Sequence, residues 1–343
     1  MNDAARHVEL QMGPLGRILA DSAVTEAVIN QPGEVYVETR SGWRSEAVPE
    51  LTFDRLDNLA RAIATFSSQK IDSQHPILSA TLPGGERIQV VRPPAVAAGT
   101  ISMTIRKPSS TTWSLLELNA KQLFADVAQP GHQERGQRDA ELIELLARGQ
   151  TSQFLARAVK AKKNIIISGA TGSGKTTLSK SLIGEIPLDE RIITIEDTPE
   201  LIVPHRNKVQ LLYSMGGQGI AGVRAKALLE SCLRMRPDRI LLQELRDGTA
   251  FYYLRNVNSG HPGSITTVHA ESPALAFEQL TLLVKESDGG SSLDRADIMG
   301  LLRVLVDVVV QCKRIGGQFR VTEVYFAGRD WVPKIRPSLM AAE

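Results

Sequence analysis

An excess of charge of one sign is missing from this chain: 40 Lys and Arg stand against 38 Asp and Glu over 343 residues, a formal net charge of +2. Nucleic-acid binders usually carry a basic excess, and the overall balance gives no such footprint. Aromatic residues make up only 5%, which argues against the extended stacking surfaces that single strands need. Cysteine is nearly absent, with Cys232 and Cys312 alone. Two isolated thiols make neither a disulfide framework nor a zinc site, so both read as buried, reduced residues of a cytosolic protein. No apolar run approaches the ~20 residues that span a bilayer. The most apolar late stretch, residues 304–310, is short and contains Asp307. The first residues, Met1-Asn2-Asp3-Ala4-Ala5-Arg6, lack the basic-then-apolar order of a secretory signal. Hydrophobic residues at 42% and charged residues at 23% leave an ordinary globular chain, long enough for two cores.

What is present is a complete phosphate-binding loop, Gly169-Ala170-Thr171-Gly172-Ser173-Gly174-Lys175-Thr176. An apolar, branched run precedes it (Asn164-Ile165-Ile166-Ile167), and Thr177-Leu178-Ser179-Lys180 opens a helical pattern after it. Strand, glycine loop and helix in that order separate a phosphate loop from a chance match. The glycines allow positive φ and bring backbone N–H groups against phosphate oxygens, and the helix N-terminus adds partial positive charge. Gly169 to Thr177 are therefore the expected nucleotide-binding residues, with Lys175 on the β and γ phosphates of ATP and the Thr176 hydroxyl on Mg²⁺.

Three more stretches carry chemistry. Residues 192–195 read as a strand that delivers Glu196 and Asp197 at its carboxyl end, where a carboxylate can orient or deprotonate water. Ile240-Leu241-Leu242 reads as a strand leading to Gln243 and Glu244, placed to hold Mg²⁺ directly or through water. The glycine-rich turn Ser259-Gly260-His261-Pro262-Gly263 leads into a strand ending in His269, a candidate γ-phosphate sensor. Whether Glu196 or Glu244 is the general base is open at this point.

The chain divides into three. Residues 1–110 alternate short strands (24–29, 34–38, and one after Gly42) with a helix near 56–66. Pro83-Gly84-Gly85 joins a strand pair and 101–105 is a further strand, the pattern of a small α+β domain. Residues 111–150 form a connector with helical pieces at 115–127 and 140–148 around the polar stretch 132–139. From 151 to 343, apolar strands alternate with amphipathic helices and a hairpin turns at Gly316-Gly317. This rhythm implies a mainly parallel sheet with helices on both faces.

Taken together, the phosphate loop, the acidic box, the Glu-ending strand and the histidine box, in this order, resemble the secretion-superfamily traffic ATPases. The closest likeness is to the compact ATPases of DNA-transfer type IV secretion systems. The resemblance implies a RecA-like, doubly wound P-loop domain behind a smaller α+β domain. It also implies a homohexamer, peripheral on the cytoplasmic face of the inner membrane, working with a secretion channel and the other cytoplasmic ATPases of the machine. No sequence-specific contact with nucleic acid is expected. In such ATPases, arginines of the first domain reach over the nucleotide, and Arg87 and Arg106 match them here, acting within a chain or across subunits. Gln243 departs from the glycine usual in that family. A nucleic-acid-dependent P-loop motor is the alternative of a different class.

Overall fold

The computed structural model describes residues 3–108, 112–127, 134–214 and 219–330. The chain opens on α1 (Asp3–Ala20), where the sequence suggested no helix. Val8, Met12, Leu15 and Leu19 recur at helical spacing and bury in the first core. Gly13 (φ 39°) and Pro14 kink the helix there, and in the letters that pair reads as a helix breaker.

Six strands follow: β1 (Glu26–Ile29), β2 (Glu34–Thr39), β3 (Gly42–Ala47), β4 (Ile77–Thr81), β5 (Arg87–Val91) and β6 (Ser102–Arg106), with α2 (Phe53–Phe66) between β3 and β4. They form an antiparallel sheet in the order β3-β2-β1-β6-β5-β4. Alternation along each strand sorts the side chains. Ala27, Val37, Ile88, Val90, Met103 and Ile105 join the core formed with α1 and α2. Glu26, Gln89, Ser102 and Thr104 belong to the alternate positions and are buried as well.

The rest of the chain packs against that polar side. Arg236 donates to Glu38 at 2.6 Å through Nη2. Arg191, fully buried, donates through Nη1 to the Oδ1 atoms of Asn30 (2.7 Å) and Asn207 (2.5 Å). Burial lowers the Arg191 pKa to about 9. Burial likewise pushes Glu26 up to about 7 from 4.5, more than Arg106, Arg236 and Arg191 pull it down, while Glu38 adds to the rise. An acid raised in the fold stabilises least when ionised: its contribution is full below 4.5 and lost as pH rises through about 7. Urea stability should therefore fall across that interval, and Glu26→Gln should flatten the slope. An unchanged slope in the variant would assign the effect elsewhere.

In the connector, α3 (Leu115–Ala120) starts with a capping box between Ser114 and Glu117 and stops well short of residue 127. Gln122 takes φ 59°, which ends helical geometry. Pro130 and Gly131 lie outside the described residues. The next helix, α4 (Glu134–Ala147), packs on α5 (Thr151–Lys160), with Leu142 buried beside Phe154 and Leu155. Lys163 Nζ holds Asp139 at 2.7 Å.

The remaining strands are β7 (Ile165–Ser168), β8 (Ile192–Glu196), β9 (Lys208–Leu212), β10 (Arg239–Leu242), β11 (Ile265–Val268), β12 (Val308–Ile315) and β13 (Gln318–Phe326). Two ladders, β10-β8-β9 and β11-β7-β12-β13, meet at a parallel bridge between Glu244 and Thr267. The order is then β9-β8-β10-β11-β7-β12-β13, parallel in every ladder except the closing β12–β13 hairpin. Helices cover both faces. On one lie α7 (Ala225–Cys232), α8 (Thr249–Asn258), α9 (Pro273–Lys285) and α10 (Arg295–Leu305); on the other lie α4, α5 and α6 (Lys175–Ile183). Ile166 faces the first group while Ile165 and Ile167 face the second, which is why β7 reads as continuously apolar. Cys232 and Cys312 are buried and free, as their isolation suggested. No helix among the described residues is long and apolar enough to cross a membrane.

Candidate active site

All four residues of β7 are buried, and the strand ends directly in the glycine loop. Gly172 and Gly174 hold φ of 72° and 92°, conformations that L side chains rarely adopt. Gly169 is needed for space: a Cβ there would lie 2.5 Å from the Cys312 carbonyl oxygen. Helix α6 begins at Lys175 with Gly174 as N-cap and no side-chain cap. Its first N–H groups are thus left for an anion.

Lys175 is buried and folds back onto its own loop. Its Nζ donates to the carbonyls of Gly169 (2.7 Å) and Ala170 (3.0 Å) and lies 3.4 Å from His269 Nδ1. Burial lowers the Lys175 pKa, and the Glu244 carboxylate offsets part of that. The ends of β10 and β11 bring Glu244 and His269 together, with Nε2 of the ring 2.7 Å from Glu244 Oε1. Arg246 Nε donates to Glu244 Oε2 at 2.6 Å and Nη1 donates to Asp197 Oδ2 at 2.9 Å. The bond to Glu244 raises the Arg246 pKa. Lys175, His269, Glu244, Arg246 and Asp197 form a continuous polar chain along a cavity of about 560 Å³ that Thr171–Thr177, Gln243 and Phe319 also line.

Glu196 is elsewhere. It is fully buried and does not line the cavity. Its Oε1 accepts from the Thr194 hydroxyl (2.6 Å) and Gln210 Nε2 (3.2 Å), and its Oε2 from the N–H groups of Glu200 and Leu201 (2.8 Å each). This carboxylate closes the turn after β8, and Asp197, the next residue, faces the cavity. Glu196, which the sequence offered as an acid addressing water, here spends its oxygens on Thr194 of its own strand, Gln210 of β9 and two N–H groups of the following turn, and it does not face the cavity. Glu196→Ala should cost about 3 kcal/mol in urea unfolding, since it strands several buried donors. Asp197→Ala should leave the midpoint close to the parent's. Equal midpoints for both variants would refute the distinction.

Arg87 and Arg106 sit opposite each other on β5 and β6. They line a different cavity, of about 860 Å³, together with Glu26, Arg236 and Pro237. Arg106 Nε is 3.5 Å from Glu26 Oε1. Arg236 and Pro237 precede β10, so this cavity is at the amino end of the strands whose carboxyl ends carry Glu244 and Asp197. At ~3.3 Å per residue a four-residue strand alone spans ~13 Å. Within one chain the structure does not bring these arginines to the phosphate loop. Sequence reasoning assigned no role to Arg246 or Phe319, and named Asp197 only beside Glu196 as one of two acids ending their strand. Arg246 was visible only as a charge beside its box, and Phe319 carries no local signal because the fold alone places it at the loop.

The type II/IV secretion system protein family matches residues 9–330. The type IV secretion system protein VirB11 of Bartonella quintana is 56% identical over 335 residues, 95% of this chain and 94% of its own length. The VirB11 of Brucella suis is 47% identical over 309 residues, covering 89% and 85%. The crystal structure of the VirB11 ATPase from the Brucella suis type IV secretion system, in complex with sulphate, superposes with a TM-score of 0.89 at 44% identity, covering 95% of this chain and 97% of that one. With a phosphate loop, an acid–histidine pair and this agreement along nearly its whole length, the chain belongs to the type II/IV secretion system protein family.

Proposed function

We infer that this protein hydrolyses ATP to power a type IV secretion machine. The observation that carries the reading is the phosphate loop facing the Glu244–His269 pair across one cavity. When a triphosphate enters, Lys175 exchanges the Gly169 and Ala170 carbonyls for β and γ oxygens, and the N–H groups opening α6 hold the same anion. Water attacks the γ-phosphorus, the bond to the β-bridging oxygen breaks, and ADP leaves with the electron pair. Glu244 is the general base in this reading, since it alone of the two candidate glutamates faces the cavity, and it takes the proton of the attacking water. His269 and Arg246 fix its two oxygens in place. His269 also lies beside Lys175, so it senses whether the γ-phosphate is there.

The Thr176 hydroxyl is a hard oxygen donor facing the same cavity, and the Glu244 carboxylate would reach the ion through water, which leaves it free to take a proton; the set suits Mg²⁺ shared with phosphates. Bound there, the ion would neutralise charge on the β and γ oxygens.

The division that goes with this reading is an α+β domain at 1–110, a connector at 111–150 and a RecA-like, doubly wound domain at 151–343. The working form is a homohexameric ring, peripheral on the cytoplasmic face of the inner membrane and coupled to the secretion channel and its companion ATPases. The test combines Mg²⁺-dependent phosphate release with particle imaging in an ATP analogue. Turnover from six-membered rings is expected; a chain that hydrolyses nothing, or that stays monomeric with the analogue, refutes the motor.

A further inference from the structure

We propose that Phe319 is the platform on which the purine ring of the bound nucleotide stacks. The proposal rests on the phosphate-loop reading above and adds the base to it. Phe319 is on β13, just past the Gly316-Gly317 turn, whose two positive φ values (57° and 81°) make a tight hairpin. The hairpin register sets Arg314 opposite Phe319, with the guanidinium carbon 5.8 Å from the ring centroid. The ring comes up against Gly174: a Cβ on that glycine would lie 2.9 Å from Phe319 Cγ. Yet the residue is 57% exposed and lines the phosphate-loop cavity. It is the only Phe, Tyr or Trp among the described residues lining that cavity. A single exposed ring is ordinary on a protein surface, but one that lines the phosphate-loop cavity presents a π-face to whatever binds there and so calls for a role toward a ligand.

The strand order gives it one. β7, which carries the phosphate loop, has β11 on one side and β12–β13 on the other. Glu244, His269 and Asp197 all come from the β11, β10 and β8 side. The γ-phosphate must point towards these groups for hydrolysis to occur. The α-phosphate, ribose and base therefore leave the loop in the opposite direction, over the β12–β13 hairpin, where Phe319 stands beside the start of α6. A flat π-face recognises ring area rather than the base's hydrogen-bonding edge, so it favours purines over pyrimidines.

Calorimetric titration with Mg²⁺ and ADP, UDP or pyrophosphate separates the base from the phosphates. The parent chain should bind ADP more tightly than UDP. Phe319→Ala should weaken ADP by about ten-fold, narrow the ADP–UDP gap and leave pyrophosphate unchanged, in line with the loss of one base–aromatic stack. Phe319→Trp should restore ADP. Parallel weakening of ADP and pyrophosphate would mean that the ring merely props the loop, and overturns the proposal. An unchanged ADP affinity in Phe319→Ala, with Lys175→Gln still abolishing binding, overturns stacking alone. If the parent binds neither ADP nor pyrophosphate, the phosphate-loop reading falls and stacking falls with it.

Discussion

Lys175→Gln is expected to lower steady-state phosphate release by about 10²–10³-fold or more, the scale seen when one preorganised electrostatic donor is removed from a reacting centre. The fold should persist. Lys175 makes its hydrogen bonds to two carbonyls of its own loop, Gly169 and Ala170, and its side chain belongs to none of the hydrophobic cores. Glutamine can still donate to a carbonyl but supplies no charge to the β and γ oxygens. Circular dichroism and turnover should be measured on the same preparation. Substantial turnover with native ellipticity would remove Lys175 from catalysis, and with it the assignment of the loop. Glu244→Gln provides the internal contrast: it keeps the phosphate cradle and removes the proton acceptor, so nucleotide binding should outlast hydrolysis.

The parts of the site legible in the sequence are those built by short-range rules. Ile165-Ile166-Ile167 is apolar on both faces and leads straight into a glycine loop, so strand, loop and helix follow from adjacent letters. The antiparallel strands of the first sheet were readable from turns such as Pro83-Gly84-Gly85 between β4 and β5. Helix α1 was not, because Gly13-Pro14 reads as a helix breaker although the apolar spacing runs through it, and tertiary contact with α2 keeps the kinked helix in place. Glu196 and Asp197 show the sharper limit. Where a strand ends decides which of two neighbouring acids turns inward, and a one-residue difference exchanges a loop-closing carboxylate for a cavity-facing one. The Arg246 bond to Asp197, and the approach of Phe319 to Gly174, join segments far apart in sequence that only the assembled sheet brings together.

The N-terminal arginines lead to the other large effect. Arg87 and Arg106 share a cavity at the amino ends of the strands, a strand's length from their own chain's phosphate loop. A guanidinium that stabilises the γ-phosphate must touch it, and the proposal is that in a ring the site these residues serve is a neighbour's. Mixing two inactive variants tests this. One carries Lys175→Gln, the other Arg106→Ala, and each homogeneous ring should be nearly silent. Mixed rings contain junctions where an intact Lys175 meets an intact Arg106 from the adjacent subunit, and activity should reappear there. Statistical pairing in an equal mixture makes about a quarter of junctions competent, so recovery of roughly that fraction is the expected size if sites fire independently. Because Arg106 also lies against the buried Glu26 carboxylate, Arg87→Ala serves as a second partner that leaves this contact alone. Recovery with both arginine variants places the contact across subunits. Mixed rings as silent as either parent, with subunit exchange confirmed, would require the first domain to swing over its own site instead. Full activity of each arginine variant by itself would take these residues out of the mechanism.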